Sequence, residues 1–270
     1  MTRSLNLTGQ FSRGAHSLRT IGAAGSVLAL VILGASVLLR LTTALDADGT
    51  TTSNMAPAYE NAIRLVHRLA AAGLGLLALI AAILAWACRR TVPMAIAPVI
   101  WIVLATLLLA GIGPFTPGYR YGAVTIANVV AGTILLVSCW WLWEAIRSSE
   151  KKGQKFPPLV GLALAVFLAH VSLGAAASFY AMHGMHWVSF LHAGSAMFAT
   201  MLMASILWDR GNGSGSSRLA VSLEVMLAAQ VALGLISLWI DVRPVGLAFA
   251  HAMLSPLLFA GLVSITARRE

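Results

Sequence analysis

Ile21–Leu39 reads IGAAGSVLALVILGASVLL, an apolar run without a single charged side chain. A bilayer core about 30 Å thick takes roughly 20 apolar residues in helical form, so this stretch alone puts the chain in a membrane. Further runs near Asn61–Ala87, Pro93–Gly113, Gly122–Trp143, Pro158–Ala181, His186–Trp208, Leu219–Ile240 and Val245–Ala267 bring the expected spans to eight. Runs of this length are helices and not barrel strands, because a helix satisfies its own backbone groups in lipid. Composition agrees. Of 270 residues, 59% are hydrophobic and 10% charged, and the mean hydropathy is +0.85. A soluble domain carries about 25% charged residues.

The net charge of +9 does not mark a nucleic-acid binder, because the basic residues occupy short gaps between apolar runs instead of one soluble face. Alternating the gaps between two sides puts Arg3, Arg13, Arg19, Arg89, Arg90, Arg147, Lys151, Lys152, Lys155, Arg210, Arg218, Arg268 and Arg269 on one side. Arg40, Arg64, Arg68, Arg120 and Arg243 fall on the other, which accounts for all 18 basic residues. By the positive-inside rule both termini are expected in the cytoplasm, in a cell (inner or plasma) membrane protein. Met1–Thr20 reads as a cytoplasmic tail before a retained first helix, since the run after it is too long for a signal-peptide core. Cys88 and Cys139 sit in or at the end of apolar runs, which points to neither a disulfide nor a zinc site.

The expected fold class is all-α integral membrane: eight transmembrane helices as two similar four-helix bundles. Residues 1–147 form the N-terminal half and 158–270 the C-terminal half, joined by the polar, basic linker 148–157. Asp209–Ser217 (DRGNGSGSS) is a flexible connection. Thr42–Glu60 is expected to be an ordered or semi-ordered external loop.

The last four helices carry an internal repeat. Leu168-Ala169-His170-Val171-Ser172-Leu173-Gly174 in the fifth helix corresponds to Ala228-Ala229-Gln230-Val231-Ala232-Leu233-Gly234 in the seventh. Each is followed by a short outer turn and a helix bearing a histidine, His192-Ala193 in one and His251-Ala252 in the other. Two helix pairs of one design, packed together, bring equivalent positions face to face.

Ionisable residues inside a membrane are costly and usually functional. His67, His192 and His251 each lie several residues inside a helix from its outer end, roughly 10 Å deep at 1.5 Å per residue. A lone intramembrane histidine is as often a packing residue as a ligand. Two at one depth in a repeat point to axial ligation of a haem iron by His192 and His251. The propionates then reach the outer surface, where Arg40, Arg64, Arg68 and Arg243 are candidate partners, since arginine binds carboxylates bidentately. Snorkelling is the alternative for such arginines, and for Arg120 it is at least as good a reading. His170, opposite Gln230 in the repeat, reads as an interhelical hydrogen-bonder. His183 and His186 fall in an outer turn, and His16 in the tail.

These residues resemble the haem A synthase family. Gln230–Gly234 followed by His251, and Leu168–Gly174 followed by His192, are similar to that family's C-terminal haem b site. Leu38-Leu39-Arg40-Leu41-Thr42 is similar to its first-helix end, and His67-Arg68 to its second-helix His-Arg pair. The resemblance implies oxidation of the C8 methyl of haem O to the formyl of haem A, with haem O as substrate of the N-terminal half. It also implies haem b as cofactor, haem O synthase and a terminal oxidase as partners, an electron donor, and His67 as metal ligand and catalytic residue. The chain departs from the family's pattern at three points. Arg64 stands where the family has a glutamate, leaving Glu60 as the nearest acid. The fourth helix reads Val124-Thr125-Ile126-Ala127-Asn128, with no histidine to partner His67. The outer-loop cysteine pairs of some members are absent.

Three function classes follow. The first is an enzyme of the haem A synthase type. The second is a non-enzymatic haem b protein, either an electron carrier or an oxidase assembly factor, and the departures favour it. A transporter with a midplane site fits poorly, because the polar residues cluster near the outer face.

Overall fold

A computed structural model of the protein describes residues 2–45, 51–53, 55–116, 121–147, 158–211, 218–240 and 244–267. Within them lie eight long helices: α1 (Thr2–Leu41), α2 (Pro57–Ala87), α3 (Ile96–Ile112), α4 (Gly122–Arg147), α5 (Pro158–Met182), α6 (Trp187–Gly211), α7 (Arg218–Trp239) and α8 (Val245–Ala267). All eight, α3 together with the short helical turns flanking it (Pro93–Phe115), are long and apolar enough to cross a bilayer, as expected of a multi-pass membrane protein. Their outward faces carry large apolar side chains such as Leu69, Leu107, Phe190, Met201 and Trp208. On a lipid-facing surface these residues need no cover, because the acyl chains around them are as apolar as they are.

The expected tail Met1–Thr20 departs from expectation, since α1 is helical from Thr2 onward. The extension packs: Leu18 is fully buried, and a Cβ on Gly14 would meet the Cys88 sulfur at the end of α2 at 2.7 Å. Burial of this face against α2 offsets the helix cost of Gly14, which the hydropathy pattern alone does not reveal. The connection after α1 begins as a short antiparallel hairpin, β1 (Thr43–Leu45) against β2 (Thr51–Ser53), with Thr43 opposite Ser53. Pro57 then starts α2, at the position where a missing N–H costs nothing. The linker 148–157 lies outside the described residues.

The packing order shows how the helices are arranged. α1 packs on α2 and α4, and α3 on α2 and α4; α5 packs on α6 and α8, and α7 on α6 and α8. Contacts of α4 with α5, α4 with α8, and α1 with α8 join the two sets. Two apolar clusters match: one centred on Leu18, Leu74, Ile102, Leu135 and Leu142, the other on Phe167, Met203, Leu223, Leu258 and Leu262. Small residues allow the closest approaches. A Cβ on Gly22 would lie 2.7 Å from the Trp143 backbone nitrogen, and one on Gly25 2.9 Å from the Cys139 sulfur, so α1 and α4 meet nearly backbone to backbone. The buried face of α2 is the stripe Ala70, Leu74, Ala78, Ala81 and Ala85. Half of the α8 span is buried, against 22% for α6 and for α7. α8 is thus a central helix, and α6 and α7 form a lipid-facing wall.

Candidate functional site

A tight turn joins α5 to α6. Gly184 has φ 75°, Met185 N donates to the Tyr180 carbonyl (2.9 Å) and Gly184 N to the Ala181 carbonyl (3.1 Å). This double closure is a helix C-cap that needs a left-handed residue, and glycine adopts that conformation without strain. It folds α6 back along α5 and sets His170 beside His192.

The His170 and His192 rings stack, with centroids 4.4 Å apart and planes 12° from parallel. His170 Nδ1 lies 2.9 Å from Ser195 Oγ, so the expected interhelical hydrogen bond is present. Ser195 Oγ also donates to the His192 backbone carbonyl at 2.7 Å. With its single proton committed there, the hydroxyl accepts from His170, and His170 Nδ1 carries the hydrogen. A short loop of contacts therefore runs from the His170 ring through Ser195 to the His192 backbone and back through the stacked rings.

The second helix pair repeats the plan. Gln230 Nε2 donates to Ser255 Oγ at 2.7 Å, and Gln230–Ser255 has the same 25-residue separation as His170–Ser195. The glycine four residues after each polar side chain receives an imidazole. A Cβ on Gly174 would meet His192 Cε1 at 2.9 Å, and one on Gly234 would meet His251 Cε1 at 3.2 Å. The Leu-Gly pairs of the repeat are thus the seats of the histidines, a role that motif matching alone does not assign.

α6 and α8 share α5 and α7 as neighbours, so their histidines meet across the helix group. The His192 and His251 centroids are 6.3 Å apart, with ring planes at 82°. Metal–imidazole bonds of about 2.0 Å, with each nitrogen about 1.1 Å from its ring centre, put two trans imidazoles about 6 Å apart, centroid to centroid. The observed spacing fits one metal between the rings. Among the described residues no group of three or more His, Cys, Asp or Glu side chains surrounds a metal position. A haem iron brings four equatorial nitrogens of its own and asks the protein for two ligands, so the donor set fits haem better than a bare cation. In the same helix set Phe167 and Phe259 stack, both buried with centroids 6.1 Å apart. Pro256, one turn beyond His251, has no N–H to give the Ala252 carbonyl, which loosens the helix ladder beside that histidine. An apolar groove of about 540 Å³ between α6 and α7, lined by Leu207, Trp208, Leu227 and Leu235 among others, contains none of the histidines.

The other expected site residues are not gathered at this pair. His67 is half-buried on α2, ten residues from the helix start, about 15 Å inward at 1.5 Å per residue. His192 and His251 are five and six residues into their helices, about 8–9 Å from the first residue of each. Glu60 is in the first turn of α2 and accepts from Arg64 Nε at 2.8 Å. Because α2 is helical throughout, Glu60 stays two turns, about 10 Å, outward of His67. Arg64 is engaged by Glu60, and Arg68 is exposed. Arg40 is buried in the last turn of α1. Gly34 on the same helix faces Phe249 and Met253, which lie two residues on either side of His251 and so on the opposite side of α8, so α1 packs against the face of α8 turned away from that imidazole. Arg243 and Arg120 lie outside the described residues. Asn128 is half-buried on α4.

One polar cluster has no counterpart in the sequence reading. Glu144 is fully buried near the C-terminal end of α4. It accepts from Arg147 at 2.7 and 3.0 Å and from Ser264 Oγ of α8 at 3.0 Å, while Trp140 Nε1 donates to the same Ser264 at 2.6 Å. A carboxylate inside an apolar run was the available signal, since such a residue needs a partner.

Compared with known proteins, the chain matches no family model and no curated protein sequence.

Proposed function

We propose that the chain is a haem-binding membrane protein of the haem A synthase type, with His192 and His251 as axial ligands of a haem b in its C-terminal half. The single observation that carries this reading is the 6.3 Å separation of the two imidazoles, the distance that trans ligation of one iron requires. Haem b, when bound, supplies one-electron redox chemistry. The chain's own residues do the rest. Gly174 and Gly234 leave room for the two rings, and the stacked Phe167 and Phe259 add apolar cover within the same helix set, while Arg40 is the buried cation this reading assigns to a propionate. In this reading the helices form two four-helix halves, supported by the packing order and the two apolar clusters. Both termini face the cytoplasm of a cell membrane, supported by the arginine and lysine asymmetry.

The activity proposed for the N-terminal half is oxidation of haem O to haem A, using His67 as ligand and an electron donor, upstream of a terminal oxidase. A second reading, a haem b protein without this catalysis, is favoured by one arrangement: Glu60 is bonded to Arg64 and held two turns from His67. Two measurements test the proposal. Purified protein is expected to give a reduced-minus-oxidised b-type cytochrome spectrum that His192→Ala and His251→Ala each abolish; a spectrum surviving both substitutions overturns the haem assignment. Co-expression with a haem O synthase, followed by chromatography of extracted pigments, separates enzyme from carrier. Haem A supports the first reading, and its absence alongside an intact spectrum supports the second.

A further inference from the structure

The two candidate ligands are not held alike. His192 lies against a second imidazole, His170, whereas His251 has the amide of Gln230 at the equivalent place in its own helix pair. The stack is close and nearly parallel, and His170 is buried and anchored through Ser195 to the His192 backbone. A parallel stack transmits orientation: rotating the His192 ring about its bond to the metal would drive its edge into the His170 face. Gly174 adds a wall on the same helix, with His192 Cε1 2.9 Å from where its Cβ would be. The result is a ring plane at 82° to that of His251.

We infer that His170 is a positioning residue which, through its stacked ring, locks the His192 plane perpendicular to the His251 plane. This rests on the haem reading above. Perpendicular imidazole planes interact equally with the two iron orbitals of π symmetry and leave them nearly degenerate; rotation toward parallel splits them. The ferric low-spin centre therefore has a highly anisotropic electron paramagnetic resonance signal when the planes are crossed and a rhombic one when they align. Orientation of the axial ligands is one of the levers by which a protein sets haem electronics.

The test uses the full-length protein with its haem, comparing His170→Gln and His170→Phe. Glutamine copies Gln230, keeps a hydrogen bond to Ser195 and removes the ring; phenylalanine keeps a ring and removes the hydrogen bond. His170→Gln is expected to retain haem and a low-spin optical spectrum while its largest g value shifts down into the rhombic class. His170→Phe is expected to keep the anisotropic signal. The inference is overturned if His170→Gln retains the wild-type signal, or if His170→Phe shifts as far as the glutamine variant. If His170→Gln loses its haem, the phenylalanine variant decides alone: an unshifted signal supports the stack and a shifted one overturns it. Wild-type protein without a b-type spectrum instead overturns the haem reading itself, so the two failures are distinguishable.

Discussion

Gly174 and Gly234 do the same job with different clearances, and the difference predicts different outcomes. Replacing a helical glycine by alanine gains about 1 kcal/mol of helix propensity. Forcing a methyl into a packed site costs about 1–3 kcal/mol. At Gly174 the added carbon would stand 2.9 Å from His192 Cε1, with two further ring atoms at 3.4 and 3.5 Å, so the clash wins. Gly174→Ala is expected to weaken haem retention by about tenfold, the equivalent of about 1.4 kcal/mol, measured as haem per protein after extended washing in detergent. At Gly234 the nearest atom is 3.2 Å away, and a few tenths of an ångström of ring movement relieves it. Gly234→Ala is expected to hold its haem within about twofold of wild type, the propensity gain offsetting the crowding. His67 lies on α2, which packs chiefly on α1 and α3 and not on the α6 and α8 helices that carry the two rings. His67→Ala is therefore expected to leave the cytochrome b spectrum unchanged, and its disappearance would mean the two halves do not hold separate sites.

At the level of elements, α4 and α8 are joined by Glu144, Ser264, Trp140 and Arg147 near their C-terminal ends. Glu144 is fully buried, while Arg147 keeps 32% of its side-chain surface exposed. Breaking a buried pair costs about 3–5 kcal/mol when the survivor stays buried; here the surviving guanidinium can turn to solvent, which puts Glu144→Ala at the low end, about 3 kcal/mol. A fall in melting temperature in detergent, with the haem spectrum of the remaining folded protein unaltered, is the expected result. The Glu60–Arg64 pair on α2 is the contrast. Both partners are part-exposed at the helix entry, and such pairs contribute about 0–1 kcal/mol. Glu60→Gln is expected to leave the melting temperature unchanged within error. If Glu60 also serves the reaction, the same variant loses haem A production without losing stability.

For the molecule as a whole, the two helix sets differ in the polar groups they carry. The α5–α8 set has a crossed imidazole pair; the α1–α4 set has His67 on α2 and Asn128, not a histidine, on α4, at equivalent diagonal places in the packing order. The topology makes a separate prediction. Reporters fused at either terminus are expected to be active only on the cytoplasmic side, and a cysteine in place of Arg243 to react with an impermeant reagent applied from outside. Labelling of Arg243→Cys only after the membrane is opened would reverse the orientation.

Much of this architecture could be read directly, because the bilayer leaves the chain few choices. Any long apolar run must become a helix, so eight spans and most of their ends follow from hydropathy alone, and the histidines stand out as ionisable groups in apolar company. The helical extension of α1 could not be read this way, because it depends on what Leu18 and Gly14 meet on α2. Nor could the Glu144 network, the glycine seats or the stacking of His170 on His192, which join residues distant along the chain. The spacing and crossed planes of His192 and His251 belong to this second group. Two rings on different helices acquire a distance and an angle only when the turn at Gly184 and the packing of α6 and α8 about α5 and α7 bring them together.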